Sequence, residues 1–215
     1  DLTNPVTIEV ADSGGLTATQ SFSLRIELLL PFVAAIGDSG DQTMIVPYDA
    51  AGWRPREVVG TFTKVSTAVA IADVNQDGFP DLLLGGNDNG CTVWALLNDG
   101  ANGFASPAIL ATVPGGRAPN FLTTADFNGD GRPDVAVGTN SATVTYLALS
   151  HGTGYTMATT SAFSPAGTSG TYGLDAADFN GDGWADLALS ATGKGIYVAL
   201  NNGLGGLLPA TLASA

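Results

Sequence analysis

One nine-residue pattern, Asp-x-Asn-x-Asp-Gly-x-x-Asp, stands three times in the chain: DVNQDGFPD at 73–81, DFNGDGRPD at 126–134 and DFNGDGWAD at 178–186. The copies start 53 and 52 residues apart. Self-similarity at a fixed period marks a protein assembled from one supersecondary unit used repeatedly. Whatever each nine-residue run does, it does from the same place in every unit.

The residue types explain what that is. Oxygen-bearing side chains at positions 1, 3, 5 and 9 converge when the backbone curls, and Gly78, Gly131 and Gly183 at position 6 allow the sharp turn. Three carboxylates, one amide oxygen and the position-7 carbonyl (Phe79, Arg132, Trp184) form an all-oxygen donor set. Calcium takes six to eight oxygens at roughly 2.3–2.6 Å in irregular geometry, whereas magnesium demands a tighter octahedron and keeps more waters. The pattern therefore predicts about three calcium ions, one per loop. Asp, Asn and Gly are also ordinary turn formers. Three copies in register, each with a further acid at position 9, favour the cation.

The loops are not EF-hands, which close with a bidentate Glu at position 12 between two helices. Position 12 here is Leu84, Val137 or Leu189. Each loop lies between an incoming segment (69–72, 122–125, 174–177) and an apolar outgoing strand (82–84, 135–137, 187–189). A Gly/Asn turn, a third strand (92–97, 143–149, 196–200), a Gly-rich turn and a short outer strand follow. Pro107, Pro165 and Pro209 fall near that outer strand, where a missing amide donor matters least. Four strands in each ~52 residues match a propeller blade better than a solenoid turn.

With loop, glycine position and period in agreement, the chain resembles the FG-GAP/VCBS repeat family, whose integrin-α-like repeats are β-propeller blades with calcium between the first two strands. The resemblance covers roughly residues 31–215. It implies the ligands Asp73, Asn75, Asp77 and Asp81 with the Phe79 carbonyl; Asp126, Asn128, Asp130 and Asp134 with that of Arg132; and Asp178, Asn180, Asp182 and Asp186 with that of Trp184.

The expected fold is all-β, with three full four-stranded repeats (63–115, 116–168, 169–215), one partial repeat (31–62) and an N-terminal β-hairpin (1–30). Gly52-Trp53, Gly103-Phe104, Gly154-Tyr155 and Gly206-Leu207 hold one register through all four repeats. In the partial repeat, 32–37 aligns with 81–86 but no acidic loop precedes it. This first repeat has either lost its cation loop or had its inner strand replaced by the segment Ser21 to Leu30. In the hairpin, Val6, Ile8 and Val10 alternate with polar residues, as do Phe22, Leu24, Ile26 and Leu28 after the turn at 12–15. It resembles the last two strands of a cadherin-like or Ig-like module of bacterial surface proteins.

Composition limits the function. The apolar content of 45% supports a core, and 29 glycines with only 13% charged residues suit a turn-rich β architecture. Nine of the twenty acidic residues lie in the three loops. Three bound divalent ions would bring the net charge from −13 to −7, and an acidic chain without a basic patch does not bind nucleic acid. The longest apolar run, 28–36, is broken by Pro31 and is too short to span a bilayer. The lone Cys91 excludes an intrachain disulfide and is expected buried and inert. The lone His151 is expected in a solvated loop between third and outer strands. Among Trp53, Trp94 and Trp184, the last alone is a candidate contact for a ligand, because the others fit strand positions.

These features predict a non-enzymatic, calcium-binding extracellular scaffold or adhesion module with a protein or glycan partner at the cell surface. A carbohydrate-binding propeller lectin is the alternative, and a metal-dependent hydrolase is a weaker third. Three and a half blades leave open sheet edges. The chain is thus expected to be part of a larger secreted or surface protein, or to self-assemble through its hairpin or open blades into a ring or filament.

Overall fold

The computed structural model describes residues 2–11, 17–26, 32–36, 42–49, 52–53, 55, 57–61, 65–86, 91–100, 103–139, 145–151, 154–158, 171–191 and 195–214. All its regular elements are β-strands. Strands β1 (Leu2–Ala11) and β2 (Thr17–Ile26) form a two-stranded antiparallel sheet of their own. Val6 stands opposite Phe22 and Leu2 opposite Ile26 in its register. Leu28, expected to continue the alternation, lies outside the described residues.

Strands β3 (Phe32–Ile36), β4 (Gln42–Asp49), β5 (Gly52–Trp53) and β6 (Glu57–Thr61) form the next sheet, in which β4 pairs with all three others. By alignment β3 and β4 are the outgoing and third strands of a repeat, with β5 and β6 on its outer side; among the described residues no inner strand pairs with β3. Of the segment Ser21 to Leu30, the part up to Ile26 pairs with β1, and the rest lies outside the described residues.

The three full repeats give three four-stranded antiparallel meanders. Repeat 1 is β7 (Val65–Ala72), β8 (Asp81–Gly86), β9 (Thr92–Leu96) and β10 (Ala108–Thr112). Repeat 2 is β11 (Pro119–Ala125), β12 (Asp134–Thr139), β13 (Thr145–His151) and β14 (Gly154–Ala158). Repeat 3 is β15 (Thr171–Ala177), β16 (Asp186–Ala191), β17 (Gly195–Ala199) and β18 (Thr211–Ser214). The inner strand of each carries an irregularity at the same place, between Val65 and Val69, Pro119 and Phe121, and Thr171 and Gly173.

Inner strands lie side by side, β11 against both β7 and β15, so the sheets stack face to face like successive blades. Successive residues of a strand point to opposite faces, and the middle strands use both. Val135 and Val137 of β12 pack with Leu83, Val93 and Ala95 of repeat 1. The intervening Ala136 packs with Leu147, Phe127 and Leu187 toward repeat 3. That double burial is why β8 and β12 are buried along their whole length and read as continuous apolar runs.

Cys91 is buried against Val93 and Ala95, as expected. His151 is solvent-exposed as expected, but it is the last residue of β13, opposite Gly154, and not part of a loop. Its Nε2 meets the Thr156 hydroxyl. Of the three prolines placed near the outer strand, Pro107 and Pro209 directly precede β10 and the β18 region, and Pro165 is outside the described residues.

Candidate metal centre

Each nine-residue loop joins inner strand to outgoing strand, β7 to β8, β11 to β12 and β15 to β16. The three curl alike. Position 6 has φ of +91°, +78° and +88° at Gly78, Gly131 and Gly183, the left-handed region that glycine enters without a Cβ penalty. Position 4 is left-handed too, with Gly129 at +76°, Gly181 at +80° and Gln76 at +60°. The second left-handed residue was not visible in the pattern, since Gln76 masks the glycine that the other two copies share.

Two left-handed residues turn successive amides toward the position-1 carboxylate. Asp73 accepts from Asp77 N at 3.1 Å and Gly78 N at 2.8 Å. Asp126 accepts from Gly129, Asp130 and Gly131 at 2.6, 3.2 and 2.8 Å. Asp178 does the same with Gly181, Asp182 and Gly183 at 2.7, 3.2 and 2.9 Å. These amide bonds, Gly183 first, hold the Asp178 carboxyl below the usual carboxylate range. The position-3 amide oxygen turns to the same place: Asp77 N is shared by Asp73 Oδ1 and Asn75 Oδ1, both at 3.1 Å. The position-3 Nδ2 then donates to the position-5 carboxylate in every loop, at 2.7, 3.2 and 2.8 Å.

Position 9 differs in kind. Asp81, Asp134 and Asp186 are all 0% exposed. One oxygen of each accepts from the position-2 amide (Val74, Phe127, Phe179) at 2.9, 2.9 and 3.0 Å. The other accepts from an amide just past the third strand or at its end (Asn98, Ser150, Asn201) at 2.8, 2.7 and 2.7 Å. This carboxylate therefore sews loop to sheet. Burial pushes Asp81 and Asp134 above the ordinary value, against the pull of those amides.

Among the described residues, no three His, Cys, Asp or Glu side chains stand together as a preformed metal cluster. The donor chemistry nonetheless fits a hard cation. The oxygens of positions 1 and 3 meet over one amide beside the position-5 carboxylate, and the position-1 Oδ2, which accepts the position-6 amide in each loop, retains a second lone pair. The main-chain amide of position 7 is fixed by the position-5 carboxylate, at 2.9 Å in all three loops.

The loops also touch one another. Gln76 Nε2 donates to the Gly131 carbonyl at 3.0 Å. Trp184 packs its ring over Gly129, where a Cβ would come within 2.7 Å of it. An open notch lined by Asp126, Gly129, Asp178, Gly183, Trp184 and Ala185 remains between the second and third loops. Two further residues that the sequence did not single out hold the loops from behind: Asn98 donates to the Pro80 carbonyl at 3.0 Å and Asn201 to that of Ala185 at 3.0 Å. Their signal was the matching asparagine after the third strand.

A family model described as an FG-GAP-like repeat matches residues 73–137 and again 126–189. Both matches start at the first Asp of a loop and leave the N-terminal hairpin outside. Phosphatidylinositol-glycan-specific phospholipase D of Rattus norvegicus is 30% identical over 184 residues, an alignment covering 71% of this chain and 20% of that protein. The chain thus spans about a fifth of that relative's length.

Proposed function

Because the chain belongs to the FG-GAP-like repeat family, we propose that it is a non-enzymatic, calcium-stiffened scaffold or adhesion module of β-propeller type that works outside the cell. The observation that carries this is the threefold recurrence of one donor arrangement. In all three copies position 1 accepts from the amides of positions 5 and 6, position 3 from that of position 5 and position 5 from that of position 7. A function located in one loop would not require three. Asp73, Asn75, Asp77 and Asp81, with the Phe79 carbonyl, would hold the first ion; the equivalents at 126–134 and 178–186 would hold the others. Bound calcium supplies positive charge that offsets carboxylates crowded on a short loop.

The relative's printed name describes a phospholipase acting on phosphatidylinositol glycans. The aligned region is a fifth of that protein, and this chain's own reactive side chains support a role other than chemistry. Its one histidine is engaged at a strand end with Thr156, and its one cysteine is buried. No described helix is long and apolar enough to cross a membrane. A second reading, glycan binding, is favoured by the notch beside Trp184; glycan-array binding that survives loop mutation would support it.

The test of the main reading is a melting curve in chelator against one in millimolar calcium. An ion at a hundred times its dissociation constant adds about 2.7 kcal/mol per site. The midpoint is expected to rise by many degrees, and an unchanged midpoint would sink the proposal.

A further inference from the structure

Asn201 is 5% exposed and uses its main-chain amide and its whole side chain. Its main-chain amide donates to Asp186 Oδ1 at 2.7 Å. Its Oδ1 accepts from Gly203 N at 2.9 Å. Its Nδ2 splits between two carbonyls, Ala185 of its own loop at 3.0 Å and Phe127 of the preceding repeat's loop at 2.9 Å. Phe127 N in turn donates to Asp134 Oδ2 at 2.9 Å. A continuous buried path thus runs from the position-9 carboxylate of loop 3, through Asn201 and the main chain of Phe127, to the position-9 carboxylate of loop 2.

The first two loops are joined differently. Ser150 holds the place of Asn201 in repeat 2, and its Oγ lies 3.2 Å from Asp130 of its own loop. A side-chain bond between loops 1 and 2 comes from Gln76, on the solvent-exposed surface. Exposed hydrogen bonds compete with water and transmit little, whereas a buried, fully satisfied one fixes the geometry of both ends.

We propose that Asn201 couples cation uptake by loops 2 and 3, while loop 1 binds independently. This rests on the calcium reading of the loops. An ion in loop 3 fixes Asp186 and the Ala185 peptide, hence the Asn201 amide, hence the Phe127 carbonyl. The backbone at the entry to loop 2 is then already ordered when its own ion arrives, and ordering incurred once is not incurred again. The coupling is expected to be about tenfold in affinity, within the ~5–150-fold range usual between linked sites. It is reciprocal.

The experiment uses the full chain with loop 1 disabled by Asp77→Ala, titrated calorimetrically with calcium. The parent is expected to show two sites with positive cooperativity. The comparison is Asn201→Ser/Leu207→Tyr, which copies the Ser150 and Tyr155 pair of repeat 2. It keeps a donor for the Ala185 carbonyl and removes only the link to Phe127. Two independent sites in that variant are expected. Unchanged cooperativity there, or independent sites in the parent, overturns the coupling and leaves the calcium reading standing; no uptake at all overturns both. If the double variant does not fold, the native chain answers the same question. Asp182→Ala is expected to weaken loop 2 about tenfold and Asp77→Ala to leave it unchanged, and equal effects would overturn the proposal.

Discussion

Tyr155 donates its phenol hydroxyl to the main-chain carbonyl of Pro133 at 2.8 Å, and so does the work that asparagine does in the neighbouring repeats. Asn98 reaches the equivalent Pro80 carbonyl and Asn201 that of Ala185. Repeat 2 has Ser150 at that register, too short to reach. The donor moves instead to the facing residue. Asn98 bridges to Phe104 and Asn201 to Leu207, while Ser150 pairs with Tyr155.

A swap of donors across a strand pair predicts compensation. Tyr155→Phe leaves a partly buried carbonyl without its donor and is expected to cost about 1–3 kcal/mol. Adding Ser150→Asn is expected to recover most of it. Denaturant midpoints at unchanged slope measure both steps. Additive losses in the double variant would show that the two residues do not share one role.

The same phenol gives an alkaline transition. Burial, reinforced by the negative charges of Asp134 and Asp81, pushes Tyr155 up to about 12. A folded-state value above the unfolded value of about 10 means that its stabilisation is complete below that lower value. It is lost as pH rises from there through about 12. The melting midpoint is expected to hold to about pH 10 and then fall, and Tyr155→Phe should flatten the fall. An equally steep decline in that variant would assign the transition elsewhere.

Position 2 of the loop carries Phe127 in repeat 2 and Phe179 in repeat 3. Phe127 is 0% exposed, packed between its own sheet and repeat 3 with Leu147 and Leu187; Phe179 is 49% exposed. Truncating a buried Phe to Ala costs about 3–5 kcal/mol, whereas exposed positions usually change by less than about 0.5 kcal/mol. Phe127→Ala is therefore expected to lower the unfolding free energy several-fold more than Phe179→Ala. Similar losses would mean that the face of repeat 3 bearing Phe179 is covered in solution.

The loops and their flanking strands were legible because the determinants are local. Asp73, Asp77, Gly78 and Asp81 fall within nine residues, and the run Leu82 to Leu84 follows directly. Even the weak pairs at Gly103-Phe104 and Gly206-Leu207 mark a real bridge. Two things stayed hidden. The Asn201 to Phe127 bond spans 74 residues, so no local pattern announces it. The burial of Asp81, Asp134 and Asp186 also cannot be read from a pattern that counts position 9 as one more oxygen. Their carboxylates bind amides that belong to the end of the third strand, and only the folded meander brings those amides there.

Gly129 and Gly131 separate backbone strain from a side-chain clash. Both are left-handed, at +76° and +78°, so alanine at either meets a penalty of roughly 1–2 kcal/mol. Around Gly131 a Cβ would touch nothing within 4 Å, while at Gly129 it would come within 2.7 Å of the Trp184 ring. Gly129→Ala is therefore expected to destabilise more than Gly131→Ala, the excess being the displacement of Trp184 from its place between loops 2 and 3. In a Trp184→Ala background that excess should vanish, leaving the two alanines equal. Thermal midpoints of the four variants and their parents complete the cycle. If Gly129→Ala keeps its excess without the indole, the ring is not what the glycine accommodates.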